Sequence, residues 1–447
     1  MIFNFATNVK KDGRTMITLP SDLCKKFKIK LKDILFIKIR NYEFFGYVVG
    51  TNSSKRVTLP SRLLNKLPKG KLNVQAEILQ ERKSKLKIND GILDLYYSLP
   101  NKIKHYEWPL AIKDINDKII IWSPTAYSQT IPRYLKLNEK LFEVFGLIQG
   151  EGYKKSPIGG TRFEFVNSEN NIINYILNYF EENFTIPINS WSTFVNYVYN
   201  ENKTRKSEEE IIGFWNNNTK IPKSNFKRIN YLEGKAIRSS EFGVLHILIP
   251  SCVLGEICLS MLDISEKLAV KNEEYAAAFL RGLLAADGSA TVQQYKNYKT
   301  LRIVELAVET NHEIELYSKV MNKLKLNIKD YSKSSRKLCV SSWNDFLKLA
   351  KIDAFKLHKR KKETFKKGFI NHKQTRMIKK YLNPLINKEL SIKETQEKLN
   401  LKSKGSLAQT FNVQIKRGLI KRIKRGREYK YHLTKKGRKI LKFLENY

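Results

Sequence analysis

Two apolar segments in the middle of the chain share one design, in which a hydrophobic run ends in a carboxylate followed by a glycine. They are residues 144–152, which contain Glu151, and residues 280–288, which contain Asp287. Their apolar spacing predicts two helices, each starting after an asparagine that can cap it, Asn138 or Asn272.

Small residues recur four positions apart in both segments. These positions are Gly146 and Gly150 in the first and Gly282 and Ala286 in the second. Because residues four apart share one face of a helix, each helix has a face without bulk. The pattern predicts that the two helices pack against each other at close range.

The acids are expected at the last turns of these helices. Gly152 and Gly288 are predicted to adopt the left-handed conformation that ends a helix. A carboxylate there is unfavourable for the helix, because the carbonyl end repels negative charge. A hard cation explains Glu151 and Asp287 better, and Mg²⁺ (or Mn²⁺) is the expected cofactor because it binds carboxylates and activates water.

The remaining pattern of this region repeats as well. Residues 161–166 and 301–306 alternate like strands, and each is followed by a helical segment, 170–180 and 312–324. A strand at 244–249 and a shorter one at 338–340 follow in the two halves.

This arrangement resembles the LAGLIDADG homing endonucleases of the single-chain, two-motif kind, over about residues 131–362. The segment Ile131-Pro132-Arg133-Tyr134 is similar to the lead-in of that family's motif. The resemblance implies pseudo-twofold αββαββα halves whose sheets form a saddle for DNA. Gln149 and Ala285 depart from the motif, since they replace its first acid.

The same resemblance implies roles for individual residues. Glu151 and Asp287 would be catalytic metal ligands, with Gly150 and Ala286 beside them in the metal site. The remaining candidates assist at the scissile phosphate or contact DNA from the strands: Lys235 and Lys337 for the first role, Arg162 and Arg302 for the second. For both lysines, simple contact with phosphate or solvent is the alternative.

A repeat occupies the first 80 or so residues: residues 17–23 (ITLPSDL) recur as residues 57–63 (VTLPSRL). In each copy a strand is expected to end at the proline, and the serine after it is expected to cap a short helix. The repeat resembles the AbrB-like swapped-hairpin DNA-binding family, with both units in one chain. A small β-rich domain that only mediates contacts is the alternative.

The C-terminal end is predicted to be helical and then hairpin-like. Residues 391–394 begin like a capping box, residues 406–415 form a second amphipathic helix ended near Gly418, and a hairpin follows with a basic tip at 424–427. The order resembles a winged helix-turn-helix module. Expected DNA contacts are Lys404, Gln409, Arg425 and Arg427, and a merely solvated loop is the alternative for the tip.

Charge supports a polyanionic partner. The chain has 83 Lys+Arg against 43 Asp+Glu, a net charge of +40, and residues 351–447 hold 30 of the basic and 7 of the acidic residues. Four cysteines without a CxxC pair argue against a zinc ribbon or a disulfide framework. No membrane span or signal peptide is expected, so the predicted location is cytoplasmic and nucleoid-associated.

These observations predict an α+β multidomain protein with five parts. They are a tandem swapped-hairpin domain (1–85), a connector (86–137), two LAGLIDADG halves (138–268 and 269–370) and a winged helix (371–447). The expected function is a site-specific double-strand DNA endonuclease that acts as a monomer. The alternative is a catalytically silent LAGLIDADG-derived DNA-binding regulator, or a maturase that binds intron RNA.

Overall fold

The computed structural model describes residues 1–10, 16–60, 63, 66–67, 70–79, 82–103, 108–124, 128–153, 163–199, 205–233, 240–295, 298–401 and 404–447. The chain forms two compact units, Met1–Gly282 and Leu283–Tyr447. Helices and several sheets occur in both, which confirms the predicted α+β class. In the described ranges no helix has both the length and the apolar character needed to cross a membrane.

The first unit opens with a closed six-stranded barrel. Its elements are β1 (Ile2–Lys10), β2 (Met16–Thr18), α1 (Ser21–Lys26), β3 (Ile34–Ile39), β4 (Tyr42–Gly50), β5 (Lys55–Thr58) and β6 (Lys71–Ile78). The strand order is β1-β2-β5-β4-β3-β6. The strands of the sequence repeat pair antiparallel, with Ile17 opposite Val57, and both side chains are buried in the barrel core.

The predicted serine cap of the first repeat copy is wrong. Helix α1 begins at Ser21 itself, directly after Pro20, and no side chain caps it. In the second copy the equivalent Ser61 lies outside the described residues.

Small sheets follow in the region that the sequence assigns to a connector. The elements are β7 (Ile88–Asn89), β8 (Ile92–Asp94), α2 (Leu95–Ser98), β9 (Lys102–Ile103), β10 (Trp108–Pro109), β11 (Ala111–Ile115), β12 (Lys118–Trp122), β13 (Gln129–Pro132) and β14 (Tyr134–Lys136). Arg133 joins them, because its guanidinium donates to both carboxylate oxygens of Asp94 (3.0 and 2.9 Å) and also to Asp114.

The next part of the first unit is a helix and sheet assembly. It comprises α3 (Glu139–Glu151), β15 (Gly152–Tyr153), β16 (Phe163–Asn167), α4 (Asn170–Phe184), β17 (Ser192–Tyr199), α5 (Glu208–Thr219), β18 (Phe226–Glu233), β19 (Val244–Ile249) and α6 (Cys252–Ala269). The sheet order is β15-β16-β19-β17-β18. Alternate residues of β16, β17 and β19 are buried, so one sheet face is covered and the other is open.

The next helix crosses the boundary between the units, and its last four residues belong to the second unit. The elements are α7 (Glu273–Ala286), β20 (Gly288–Tyr295), β21 (Tyr298–Ala307), α8 (Asn311–Lys323), β22 (Lys329–Asp330), α9 (Ser332–Ser335), β23 (Lys337–Val340), α10 (Trp343–Lys351) and α11 (Lys359–Ile370). The sheet order is β20-β21-β23-β22.

The two sheets share one topology. If β18 and the helix before it are set aside as an insertion, each half places its strands in the order first, second, fourth, third. The order helix, two strands, helix, two strands, helix occurs twice, with the short α9 as an addition in the second copy.

The second unit ends in helices and a hairpin: α12 (Lys373–Leu382), α13 (Ile392–Lys398), α14 (Lys404–Lys416), β24 (Ile420–Arg425), β25 (Glu428–Leu433) and α15 (Lys435–Asn446). The capping box predicted at Ser391 is confirmed, since its side chain and that of Glu394 bond each other's backbone amides. Gly418 has φ +69°, which confirms the predicted end of the second helix.

Candidate nucleic-acid interface

Helices α3 and α7 touch through their backbones in the first unit, as the small residues predict. A methyl group at Gly146 would lie 2.2 Å from the carbonyl oxygen of Phe279, and one at Gly282 would lie 2.3 Å from that of Glu143. No real Cβ tolerates such distances, so glycine is required at both positions for steric reasons. The predicted close approach is confirmed at this pair.

Both helices start where the sequence predicts. The side-chain oxygen of Asn138 accepts from the Leu141 amide (3.0 Å), and that of Asn272 accepts from the amides of Glu274 and Tyr275 (2.8 and 3.2 Å). These bonds satisfy amides that have no partner within the first turn of a helix.

The acids lie at the helix ends, but the expected left-handed glycines are wrong. Glu151 is the last residue of α3, Asp287 is the first after α7, and both are partly exposed. Gly152 is extended (φ −79°, ψ 138°), and Gly288 already begins β20. Each helix is followed almost at once by a strand, and the chain folds back tightly on the last helical turn. A Cβ at Gly152 would lie 2.4 Å from the carbonyl oxygen of Ile148, and a Cβ at Gly288 would lie 2.6 Å from the Cα of Leu284.

A buried ion pair crosses from α3 to α7 within the first unit. The Arg281 Nε donates to a carboxylate oxygen of Glu143 (2.5 Å), and its Nη2 donates to Glu139 (2.8 Å). The other oxygen of Glu143 accepts from the Tyr175 hydroxyl, and burial together with this carboxylate raises the pKa of Tyr175. The Glu143 side chain is 1% exposed and the Arg281 side chain is 7% exposed, so the ion pair is almost fully shielded from solvent.

An ammonium group sits at the C-terminal end of α7, within the second unit. Lys361 on α11 donates to the carbonyl oxygens of Ala286 (2.6 Å) and Ala285 (2.8 Å), and reaches that of Leu284 at 3.4 Å. A cation is favourable there, because the last carbonyls of a helix lack amide partners and carry the negative end of the helix dipole.

This lysine bears directly on the expected metal site. Ala286 has no side-chain ligand, so its carbonyl oxygen is the only group it could offer a metal. That oxygen accepts a hydrogen bond from Lys361, and the metal that the resemblance implies at Glu151 and Asp287 stays a prediction. Among the described residues, no three His, Cys, Asp or Glu side chains are grouped so that they could hold an ion.

The open face of the five-stranded sheet carries a chain of polar side chains in the first unit. Glu164 bonds His246 (2.7 Å), His246 bonds Asn196 (2.9 Å), and Asn230 donates to Asn196 (2.8 Å). The Phe194 ring stacks on His246 at 4.2 Å. Of the residues predicted for this half, Lys235 and Arg162 lie outside the described residues.

The four-stranded sheet presents Arg302 at an irregularity. Thr291 pairs with Ile303 and Val292 with Leu301, so Arg302 is an extra residue on β21 and has no partner on β20. A bulge of this kind re-aims a side chain, and Arg302 is exposed. Lys337 in β23 forms an ion pair with Glu305 (3.3 Å), and its proposed catalytic role stays a prediction.

The C-terminal candidates fall on α14 and the hairpin. Gln409 is exposed on α14, whereas the side chain of Lys404 lies outside the described residues. Arg427 is exposed in the hairpin turn. Arg425 binds Glu389 through two bonds (3.1 and 3.2 Å), and this arginine lowers the pKa of the Glu389 carboxyl.

Sequence reasoning missed two features of this region. Glu143 and Arg281 interrupt otherwise apolar helices, and a charge in an apolar run was the available signal for a buried pair. Lys361 gave no such signal, because it is one of four consecutive basic residues, 359–362, and only the fold selects it.

Comparisons with known proteins give little for this chain. No protein-family model and no curated protein matches it. One similar solved structure is the N-terminal LAGLIDADG domain of DUF199/WhiA, at 14% identity over 48% of this chain and 82% of that one, with a TM-score of 0.27. Another is full-length DUF199/WhiA from Thermatoga maritima, at 15% identity over 62% of this chain and 90% of that one, with a TM-score of 0.28.

Proposed function

We propose that this chain is a LAGLIDADG-derived protein that binds duplex DNA at specific sites as a regulator, without cutting it. The observation that carries the proposal is the Lys361 ammonium on the carbonyl oxygens of Ala285 and Ala286. A positive charge of the protein lies at the end of the helix that precedes Asp287, one of the two residues to which the resemblance assigns a divalent ion.

Three further features support duplex DNA as the ligand. The net charge is +40, and the four-stranded sheet presents the exposed Arg302 at its bulge. The succession α13, turn, α14, hairpin is the order in which helix-turn-helix proteins place a helix in the major groove, with Gln409 exposed on α14. Because the deep major groove of RNA does not admit a helix, this succession favours DNA over intron RNA.

Selection from a random duplex library in the presence of EDTA tests this proposal. We expect enrichment of one sequence motif, bound with a Kd of about 100 nM or tighter and about 1000-fold more tightly than random duplex. Structured RNA should compete no better than random duplex. Failure to enrich any motif, or stronger competition by the RNA, would contradict the proposal.

A metal-dependent endonuclease is the second candidate, and the acids at the two helix ends favour it. The same selected duplex, incubated with Mg²⁺ or Mn²⁺, separates the candidates. We expect no cleavage and no rise in the melting temperature with the metal, since a bound ion would stabilise the folded state. Cleavage that disappears in Glu151→Gln and in Asp287→Asn would instead establish the nuclease.

A further inference from the structure

A wide groove runs along α12 in the second unit. Its volume is about 1270 Å³, larger than the ~300–1,000 Å³ typical of small-molecule sites. One wall comes from the hairpin of β20 and β21, including Tyr298 and Arg302, and the other from α12 with the turn that follows it. We call it the α12 groove.

The spacing of residues on α12 explains why its outer face is basic. Lys373, Arg376 and Lys380 are three and four positions apart, so they share one face, and all three are exposed. The opposite face buries Ile378 and Leu382 in the core. The helix is therefore amphipathic, and its solvent face is a row of cations.

The described residues do not neutralise the positive charge of the α12 groove. Among them, five cations and no acidic residue line the groove: Arg302, Lys373, Arg376, Lys379 and Lys380. None of the five forms an ion pair with a carboxylate in the described part of the chain.

Other basic residues of the same unit differ in this respect. Lys337, Lys362, Arg425 and Lys430 each bind a nearby carboxylate. The contrast indicates that the α12 groove is built for an external anion.

Side-chain contacts hold α12 in place. The indole N–H of Trp343 donates to the Thr375 hydroxyl (2.9 Å), and Arg417 donates to the Gln374 side chain (2.8 Å). The Arg376 guanidinium lies 4.3 Å from the centre of the Tyr298 ring, which ties the two walls together. The helix and the Arg376 guanidinium are thus positioned before any ligand binds, and this lowers the entropic cost of binding.

We propose that the α12 groove holds the sugar-phosphate backbone of the bound DNA duplex, as a surface additional to the sheets and to α14. The inference rests on the proposed function and names a further part of its contact surface. From Lys373 to Lys380 the helix rises about 10 Å, which matches about three phosphates of one strand at ~3.4 Å of DNA axis each. Such contacts fix the register of the duplex and carry no sequence information.

The test compares two triple variants with equal loss of charge. The groove variant carries Lys373→Gln, Arg376→Gln and Lys380→Gln. The control carries Lys323→Gln, Lys325→Gln and Lys351→Gln, lysines of the same unit that do not line the groove. Binding of a labelled duplex to the full chain is measured by fluorescence anisotropy between about 50 and 200 mM KCl, and circular dichroism verifies that each variant is folded.

We expect the groove variant to bind about 10-fold or more weakly than wild type, and the slope of log K against log salt to fall by about 2–3. The control should stay within about 3-fold of wild type. Backbone positions protected from hydroxyl radicals by wild type should become accessible in the groove variant alone.

The two possible failures are distinguishable. Wild-type binding with equal affinity, slope and footprint in both variants would overturn the groove and leave the proposed function intact. Absence of duplex binding by wild type would overturn both.

Discussion

Two charged helix surfaces of this protein differ in the burial and pairing of their charges. At the contact of α3 with α7, Arg281 and Glu143 are buried and fully paired, and the backbones touch at Gly146 and Gly282. Along the α12 groove, four of the five cations are exposed, and none of the five has a carboxylate partner among the described residues. A buried charge without a partner is costly, whereas an exposed one remains hydrated and available to a ligand.

We infer that the residues of the helix pair serve stability, whereas the residues of the basic surfaces serve binding. Substitutions in the helix pair should change the free energy of unfolding, and substitutions on the basic surfaces should change affinity for DNA at nearly constant stability.

The largest effect is expected for Arg281→Ala. This change leaves the Glu143 carboxylate buried without its guanidinium partner, while the Tyr175 hydroxyl still donates to it, and we expect a loss of about 3–5 kcal/mol in unfolding free energy. Chemical denaturation measures it.

The control for Arg281→Ala is the double variant Glu143→Gln with Arg281→Met. It removes both charges, keeps an acceptor for Tyr175, and should regain more than half of the loss. A double variant as unstable as the single one would show that packing, and not the unpaired charge, sets the cost.

A smaller loss, about 1–3 kcal/mol, is expected for Gly146→Ala, because the new methyl group forces the helix backbones apart. Gly213 on α5 is the matched control, since a Cβ there meets nothing within 4 Å. Gly213→Ala should be neutral or stabilising by up to about 1 kcal/mol, because alanine favours helix more than glycine does. Equal destabilisation by both substitutions would contradict the close contact.

Acid should destabilise the protein through His358 by about 2 kcal/mol between pH 7 and pH 4. Burial, with Lys361 and Arg360 nearby, lowers the pKa of His358 from 6.5 to about 4. Since the unfolded chain binds the proton more readily, the stability is fully present above pH 6.5 and is lost as the pH falls towards 4.

Thermal unfolding across this range measures the effect of His358, and His358→Gln should flatten the dependence. An identical pH profile for the variant would contradict the assignment.

The sequence predicted local features correctly where a residue type at a given position has a single structural role, such as capping a helix or permitting close packing. The caps at Asn138 and Asn272, the capping box at Ser391 and the contact of Gly146 with Gly282 are all present. Pattern reasoning failed at Gly152 and Gly288. A glycine after a helix can end it in the left-handed conformation, or it can allow the chain to turn closely past the helix into a strand. Only the fold selects between the two.

The surface of the candidate site was harder to predict than its core. Lys361 and the cations of the α12 groove lie in a sequence rich in lysine and arginine, where composition does not tell a positioned cation from a solvated one. The bulge at Arg302 depends on the register of two strands, which the alternation of one strand does not fix.

The smallest expected effect, on DNA affinity, concerns Arg425. This hairpin arginine forms an ion pair with Glu389. An exposed pair adds little to stability, so Glu389→Gln should move the melting temperature by no more than about 2 °C. It releases Arg425 for phosphate, and we expect DNA affinity to rise about two- to five-fold. Glu428→Gln removes an equal charge, in the hairpin itself, but releases no arginine, so the difference between the two variants isolates the contribution of Arg425. Equal gains in both variants, measured by anisotropy at one salt concentration, would mean that only net charge matters and that Arg425 does not contact DNA.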